Sequence, residues 1–171
     1  RLDADPVAGT IGADPGRPAV VVVLTRRDQR ESRGRSEIEL RHAELSSIVS
    51  VHAAAYRRSA LVTTIGSRVY VLLPDLPEGS TESAARGLSG EIVSAARTHL
   101  GARVQAAVGS MLPTLDQIAS SRIEADRILD AMSEDPYAAV ATISDVRSQV
   151  LLNEVLTALR DSDRFRDTRL D

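Results

Sequence analysis

Any chemistry in this sequence would have to come from three histidines, scattered serines, adjacent carboxylates and arginines grouped near strand ends. His42, His52 and His99 offer imidazoles for proton transfer or metal ligation. His42 and His52 stand ten residues apart, far from the i, i+4 spacing that puts two ligands on one helical turn. Each histidine falls at the border of a helix stripe, where the ring can pack its body and keep its nitrogens near water. A serine nucleophile elbow needs G-x-S-x-G between a strand and a helix, and no such run occurs. In "GSRVYVLLP" a strand rather than a helix follows Ser67. Neither a P-loop nor a G-x-G-x-x-G is present. The pairs Glu124 with Asp126 and Glu134 with Asp135 have the types for acid-base work. They lie among arginines on helix faces and ends that read as solvated. Arg26, Arg27 and Arg68 have the donors an anionic ligand needs; the plainer reading is solvated loop arginines.

Positioning such groups takes a core, and composition says what kind. A chain of 171 residues fits one domain with tails, able to bury roughly 70% of its unfolded surface. Apolar residues make up 43% but aromatics only 2%, so Val, Ile, Leu and Ala must build the core. The absence of cysteine excludes disulfides, thiolate metal sites and a cysteine nucleophile, and fits a reducing cytoplasm. The longest apolar run, Ala19 to Leu24, is too short to cross a bilayer, and no signal peptide is recognisable. A cytoplasmic protein with no membrane partner is expected. Net charge is -3 with acids and bases interspersed, which gives no basic patch for nucleic acid. All 21 basic residues are arginine, a bias that reads as coding background. The chain does not start with methionine, which suggests a piece of a longer polypeptide.

Residues 1–17 read as a leader or linker, rich in turn formers around "GADPGRP", with "RLDADPVAGTI" a candidate short helix that Pro6 opposes. "PAVVVVLT" is a strand buried on both faces. The charged "RRDQRESRGRS" is a surface loop. Ser36 then caps a helix to about Arg57 whose stripe is Ile38, His42, Leu45, Val49, His52 and Tyr56. "TTIGSRVYVLLP" is a hairpin turning at Gly66-Ser67, with strands Ala60 to Ile65 and Val69 to Leu73, stopped by Pro74 and Pro77. A helix from Thr81 to Leu100 carries Ala85, Leu88, Ile92, Ala96 and Leu100 inward and stops at Gly101. "ARVQAAVGS" is a strand. Thr114 and Gln117 form a capping box for a helix from Leu115 to Met132, with Ile118, Ala125, Leu129 and Met132 inward. "YAAVATI" is a short strand, and Ser144 caps a last helix to Leu159, with Val146, Val150, Val155 and Leu159 as its stripe, before a charged, uncored tail. The order β-α-β-β-α-β-α-β-α predicts an α+β sandwich of ferredoxin-like type, one mixed sheet with a helical layer.

That order, with "LSSIVSVHAAAYRRSALVTTIGSRVYVLLP", "VQAAVGSMLPTLDQIASSRIEADRILDAM" and "VATISDVRSQVLLNEVL", resembles the GGDEF fold of diguanylate cyclases. It is more similar to the GGDEF-like middle domain of PucR/CdaR-type bacterial transcriptional regulators, over about Pro18 to Leu156. In that family a strand ending in glycine precedes a loop and an "S-x-x-E-A" helix, matched by Ser121, Glu124 and Ala125. The resemblance places the five signature positions on Ile65, Gly66, Ser67, Arg68 and Val69, where one glycine survives. In cyclases that resemble this fold, two signature acids and an aspartate ending the first strand serve metal binding and phosphoryl chemistry. Here the strand end is Leu24-Thr25-Arg26 and the turn carries Ser67 and Arg68. An arginine in place of a ligand turns roughly 4 kcal/mol of attraction at 4 Å into the same repulsion, at an effective dielectric near 20. The R-x-x-D product-inhibition motif would fall on Tyr56 to Ser59, and Ser59 cannot stand in for its aspartate.

The resemblance implies a degenerate, non-enzymatic domain over residues 18–143, with no cofactor. Residues 144–171 then form an exit helix and linker toward a helix-turn-helix domain outside this chain, through which alone DNA would be a partner. A homodimer is expected. A sensory module that binds a small-molecule or nucleotide effector without turnover is the alternative.

Overall fold

The computed structural model describes residues 12–27 and 34–167. The first part of the leader, with its conceivable helix, and most of the loop after the first strand lie outside the described residues. Five strands and four α-helices follow in the expected order. They are β1 Val20–Arg26, α1 Arg35–Tyr56, β2 Leu61–Ile65, β3 Arg68–Leu73, α2 Glu82–Leu100, β4 Val104–Val108, α3 Ile118–Met132, β5 Val140–Ala141 and α4 Ile143–Asp167. The sheet runs β2-β3-β1-β4-β5. β1 pairs antiparallel with β3 and β4, β2 antiparallel with β3, and β4 parallel with β5. The first four strands thus have the split βαβ arrangement of the ferredoxin-like motif, extended by β5.

β1 is a continuous valine run because both its faces are covered. Val20, Val22 and Leu24 join Val69, Val71 and Leu73 of β3 under Leu45, Val49 and Ala53 of α1 and Ala85, Leu88, Ile92 and Ala96 of α2. Val21, Val23, Tyr70 and Ala107 point the other way, against Ala125, Ile128, Leu129 and Met132 of α3. The α+β sandwich therefore divides its helices between the two sheet faces. α2 keeps its inward stripe and ends as expected, with Gly101 at φ 57 and its N–H bonded to the Arg97 carbonyl.

Several local expectations are corrected. α1 begins behind Gly34, which at φ 148 takes the N-cap position in place of Ser36. Its buried line is Leu45, Val49 and Ala53, while Ile38 and Tyr56 are exposed. A helix of 22 residues is about 33 Å long, whereas these strands span about 20 Å, so the helix overhangs the sheet, most at its start, where no residue before Leu45 is buried. The Thr114–Gln117 capping box does not form. Thr114 donates to the Asp116 carboxylate, and the chain makes a 3-10 turn, Leu115–Gln117, before α3. β5 is only two residues long, and Tyr137 ahead of it is 94% exposed.

The last helix starts on Thr142, not Ser144. Asp145 reaches back to accept from the Thr142 N–H at 2.9 Å and from its hydroxyl at 3.2 Å, which is the reciprocal half of a capping box. Arg86 of α2 adds an ion pair to the same carboxylate at 2.9 Å. The helix then continues through the segment read as an uncored tail, to Asp167, and residues 160–166 are exposed. The Thr142 N–H bond, against the opposing effect of burial and with Arg86 adding to it, holds the Asp145 carboxyl below its ordinary pKa. A depressed folded-state pKa means the contribution is fully present above the ordinary aspartate range and is lost as pH falls through the depressed value. The stability difference between wild type and Asp145→Asn, read from thermal melts, is expected to be largest near neutrality and to shrink toward about pH 3. A difference that does not change with pH would remove the carboxylate from this role.

Candidate functional site

The hairpin turn and the end of β1 meet by register. Thr25 lies opposite Arg68, and Arg68 is itself opposite Ile65. Gly66 at φ 60 supplies the left-handed residue the turn needs, and the Thr25 hydroxyl donates to the Ser67 carbonyl at 3.0 Å. The signature positions Ile65 to Val69 and the end of the first strand therefore form one place in space, as the sequence reading requires. β2 is less covered than a buried pair would be. Val62 packs toward α1, but Leu61 and Ile65 on the α3 face are exposed, because α3 lies mainly over β1 and β4 and does not reach β2.

Arg68 is a structural tie. It donates to Asp126 at 2.7 Å and to Asp130, both on α3. The same Asp126 oxygen accepts the Tyr70 hydroxyl at 2.8 Å, and Arg122 stacks on the Tyr70 ring at 4.9 Å. Burial alone would depress the Arg68 guanidinium. The bonds from Asp130 and Asp126 outweigh it, and its pKa stands above that of a free arginine. Burial raises the Tyr70 pKa, and the Asp126 carboxylate adds to the rise.

The other two arginines face different partners. Arg26 points to the α1 side, 3.6 Å from Glu44. Arg27 donates to the Gln105 side-chain oxygen at 2.8 Å and to the Leu129 carbonyl at 3.0 Å. Burial and then the charge of Arg68 lower the Arg27 pKa. The three candidate anion-binding residues thus bind carboxylates, an amide and a main-chain carbonyl, and Arg26 is turned away from the other two.

The carboxylates read as solvated surface pairs divide on inspection. Asp126 is half-buried and holds Arg68 and Tyr70, and Glu124 accepts from the Ser110 N–H at 3.3 Å. Glu134 is exposed, and the Asp135 side chain accepts from the Tyr137 N–H at 3.0 Å. The histidines stay apart, with His52 bonding the Ile48 carbonyl of its own helix at 2.9 Å.

The "S-x-x-E-A" run proves to be a seam between helix and sheet. Gly109 donates its N–H to the Val21 carbonyl, and the buried Val21 N–H donates to the Ser121 hydroxyl at 3.0 Å. Ser121 takes the acceptor's place where β4 ends, and Ala125 packs beneath it. Behind this stands Gln105, a polar residue with 1% exposure in the middle of β4. Its amide nitrogen lies within 3.1 Å of the carbonyls of Met132, Asp135 and Ala138. Sequence reasoning passed over Gln105, although a lone amide inside "VQAAV" was a visible signal.

The divalent cations that the cyclase resemblance implies need several oxygen ligands. The site offers Thr25, Ser67 and a cation, Arg68, and those residues do not fit a metal. Among the described residues no group of three or more histidine or acidic side chains is placed to hold one.

Among solved structures, the chain is similar to the active GGEEF domain of a diguanylate cyclase from Vibrio cholerae, with a TM-score of 0.49 and 10% identity over 80% of this chain and 88% of that one. No curated protein sequence matches it. The family model described as the GGDEF-like domain matches residues 3–131, which takes in the hairpin, the Gly109–Ser121 seam and nearly all of α3. The chain belongs to the GGDEF-like domain family.

Proposed function

We propose that this domain is a catalytically degenerate GGDEF-like module of a bacterial PucR-type transcription regulator, which dimerises and relays a signal to a helix-turn-helix DNA-binding domain carried outside these residues. The observation that carries the reading is the pair Ser67 and Arg68 at the hairpin turn, with Arg68 committed to Asp126 and Asp130. A cyclase needs acids where this chain has a hydroxyl and a positive charge. An anion reaching Arg68 would have to displace two carboxylates, which sets an effector-binding site there behind the architectural reading. α4 leaves the domain anchored at Thr142 and Asp145, and residues 154–166 are exposed, as a connecting element would be. No helix among the described residues is long and apolar enough to cross a membrane.

Incubation with GTP or ATP and magnesium is expected to give no product above a protein-free blank. Turnover abolished by Asp126→Asn would overturn the degenerate reading. The regulator role is tested separately: the full-length gene product is expected to bind DNA sequence-specifically, and failure to do so would remove that part.

A further inference from the structure

Among the described residues the fold contains a seat without a helix and a helix without a seat. On the α3 face the sheet is covered over β1 and β4, and beside α3 lies an open groove of 480 Å³ over β2 and β3. Leu61, Thr63, Ile65 and Leu72 form its floor, and Ile118 and Arg122 of α3 its wall. A groove bounded by a sheet face and a helix is the kind of site α1 and α2 fill on the opposite face.

α4 supplies the complementary shape. At 100° per residue, Ile143 and Val146 point one way, toward the core beneath α3. Leu151, Leu152, Val155, Leu156 and Leu159 occupy an arc of about 140° on the opposite side, and each is 44 to 61% exposed. That arc is wider than a coiled-coil seam, which needs only two positions in seven. Its own domain cannot receive it. α4 starts beside β5, at the other edge of the sheet from β2, about 19 Å away across the strands, with α3 between.

We infer that α4 of one copy lies in the β2–β3 groove of a second copy, and reciprocally, in a twofold dimer. Residue chemistry agrees: Asp163 borders the stripe four residues beyond Leu159, and the groove wall carries Arg122. Area agrees as well. Each half-exposed side chain offers about 50 Å² of apolar surface. A stripe-to-stripe seam would therefore remove about 500 Å², while two reciprocal seats, each covering an apolar groove floor as well as a stripe, remove about 750 Å², the size of a weak, reversible interface. The twofold makes the contact self-complementary and closed.

This inference rests on the dimeric part of the proposed function, and the experiment separates the two. Light scattering on the 171-residue chain is expected to show a dimer. Leu156→Asp on the stripe and Thr63→Arg in the groove, both at exposed positions, should each weaken it by about tenfold or more through a charge left in the contact. Their circular dichroism melts should stay near wild type. The chain has no cysteine, so a mixture of Thr63→Cys and Leu156→Cys chains should form a mixed disulfide that neither forms alone. A dimer broken by Leu156→Asp and indifferent to Thr63→Arg would overturn the groove seat and leave dimerisation standing as an α4 seam. A monomer at every concentration would overturn both, and absence of the mixed disulfide would overturn the seat.

Discussion

Gly109→Ala is expected to destabilise the domain by about 3 kcal/mol, a large share of the 5–15 kcal/mol typical of a whole fold. A Cβ built at this position would lie 2.3 Å from the Ser121 carbonyl oxygen and 2.5 Å from its hydroxyl. The first contact is main chain in a buried turn of α3, so no side chain can swing away to relieve it. α3 would have to lift, and lifting it also breaks the bond from the Val21 N–H to Ser121. A urea-unfolding midpoint read by circular dichroism checks this. An unshifted midpoint for Gly109→Ala would mean that the helix does not sit this close to β4.

The second large effect is expected at Gln105→Leu, which keeps the volume and removes the hydrogen bonds. The amide has two hydrogens for three carbonyl acceptors, so at most two take a full bond at once; the Met132 and Asp135 carbonyls also accept from the Asp135 and Ala138 N–H groups, which makes the Ala138 carbonyl the one most dependent on Gln105. Its oxygen also holds Arg27. Leaving a buried polar group without its partner costs about 1–3 kcal/mol, and with the Ala138 carbonyl and the Arg27 guanidinium both losing theirs the loss is expected at about 2–4 kcal/mol by the same measurement. The effect should also be local: amide exchange at residues 133–141 should quicken more than in α1, because Gln105 is what fastens the turn after α3 to the sheet. A loss below about 0.5 kcal/mol would show that water takes over its bonds.

Both residues illustrate what was and was not legible in the sequence. The valine run of β1, the hairpin glycine and the whole α2 stripe were readable because burial writes a period into neighbouring positions. The ends of α1 misled because periodicity says which side faces inward but not how far the sheet extends beneath. Ser144 and Thr114 misled because a capping residue is chosen by where the chain enters the helix, and Thr142 with Asp145 offered a better-anchored start. Which positions of the site meet was legible: the hairpin turn and the end of β1 come together, with Thr25 opposite Arg68. What holds Arg68 was not legible, since Asp126 is 58 residues away and carries no periodic mark that separates a structural carboxylate from a solvated one. Gly109 looked like a strand end, and only the packed helix shows why a side chain there is excluded.

The fixing of α4 at one end has a mechanical consequence. Its first turn is held by Thr142, by Arg86 and by the packing of Ile143 and Val146, while its 25 residues make a rod about 37 Å long. A rocking of 10° at the anchored turn, small enough to be absorbed by the Arg86–Asp145 pair and a few side chains, carries the far tip through about 6 Å. Such a rod acts as a lever, turning small shifts around Asp145 into a displacement large enough to move whatever α4 touches.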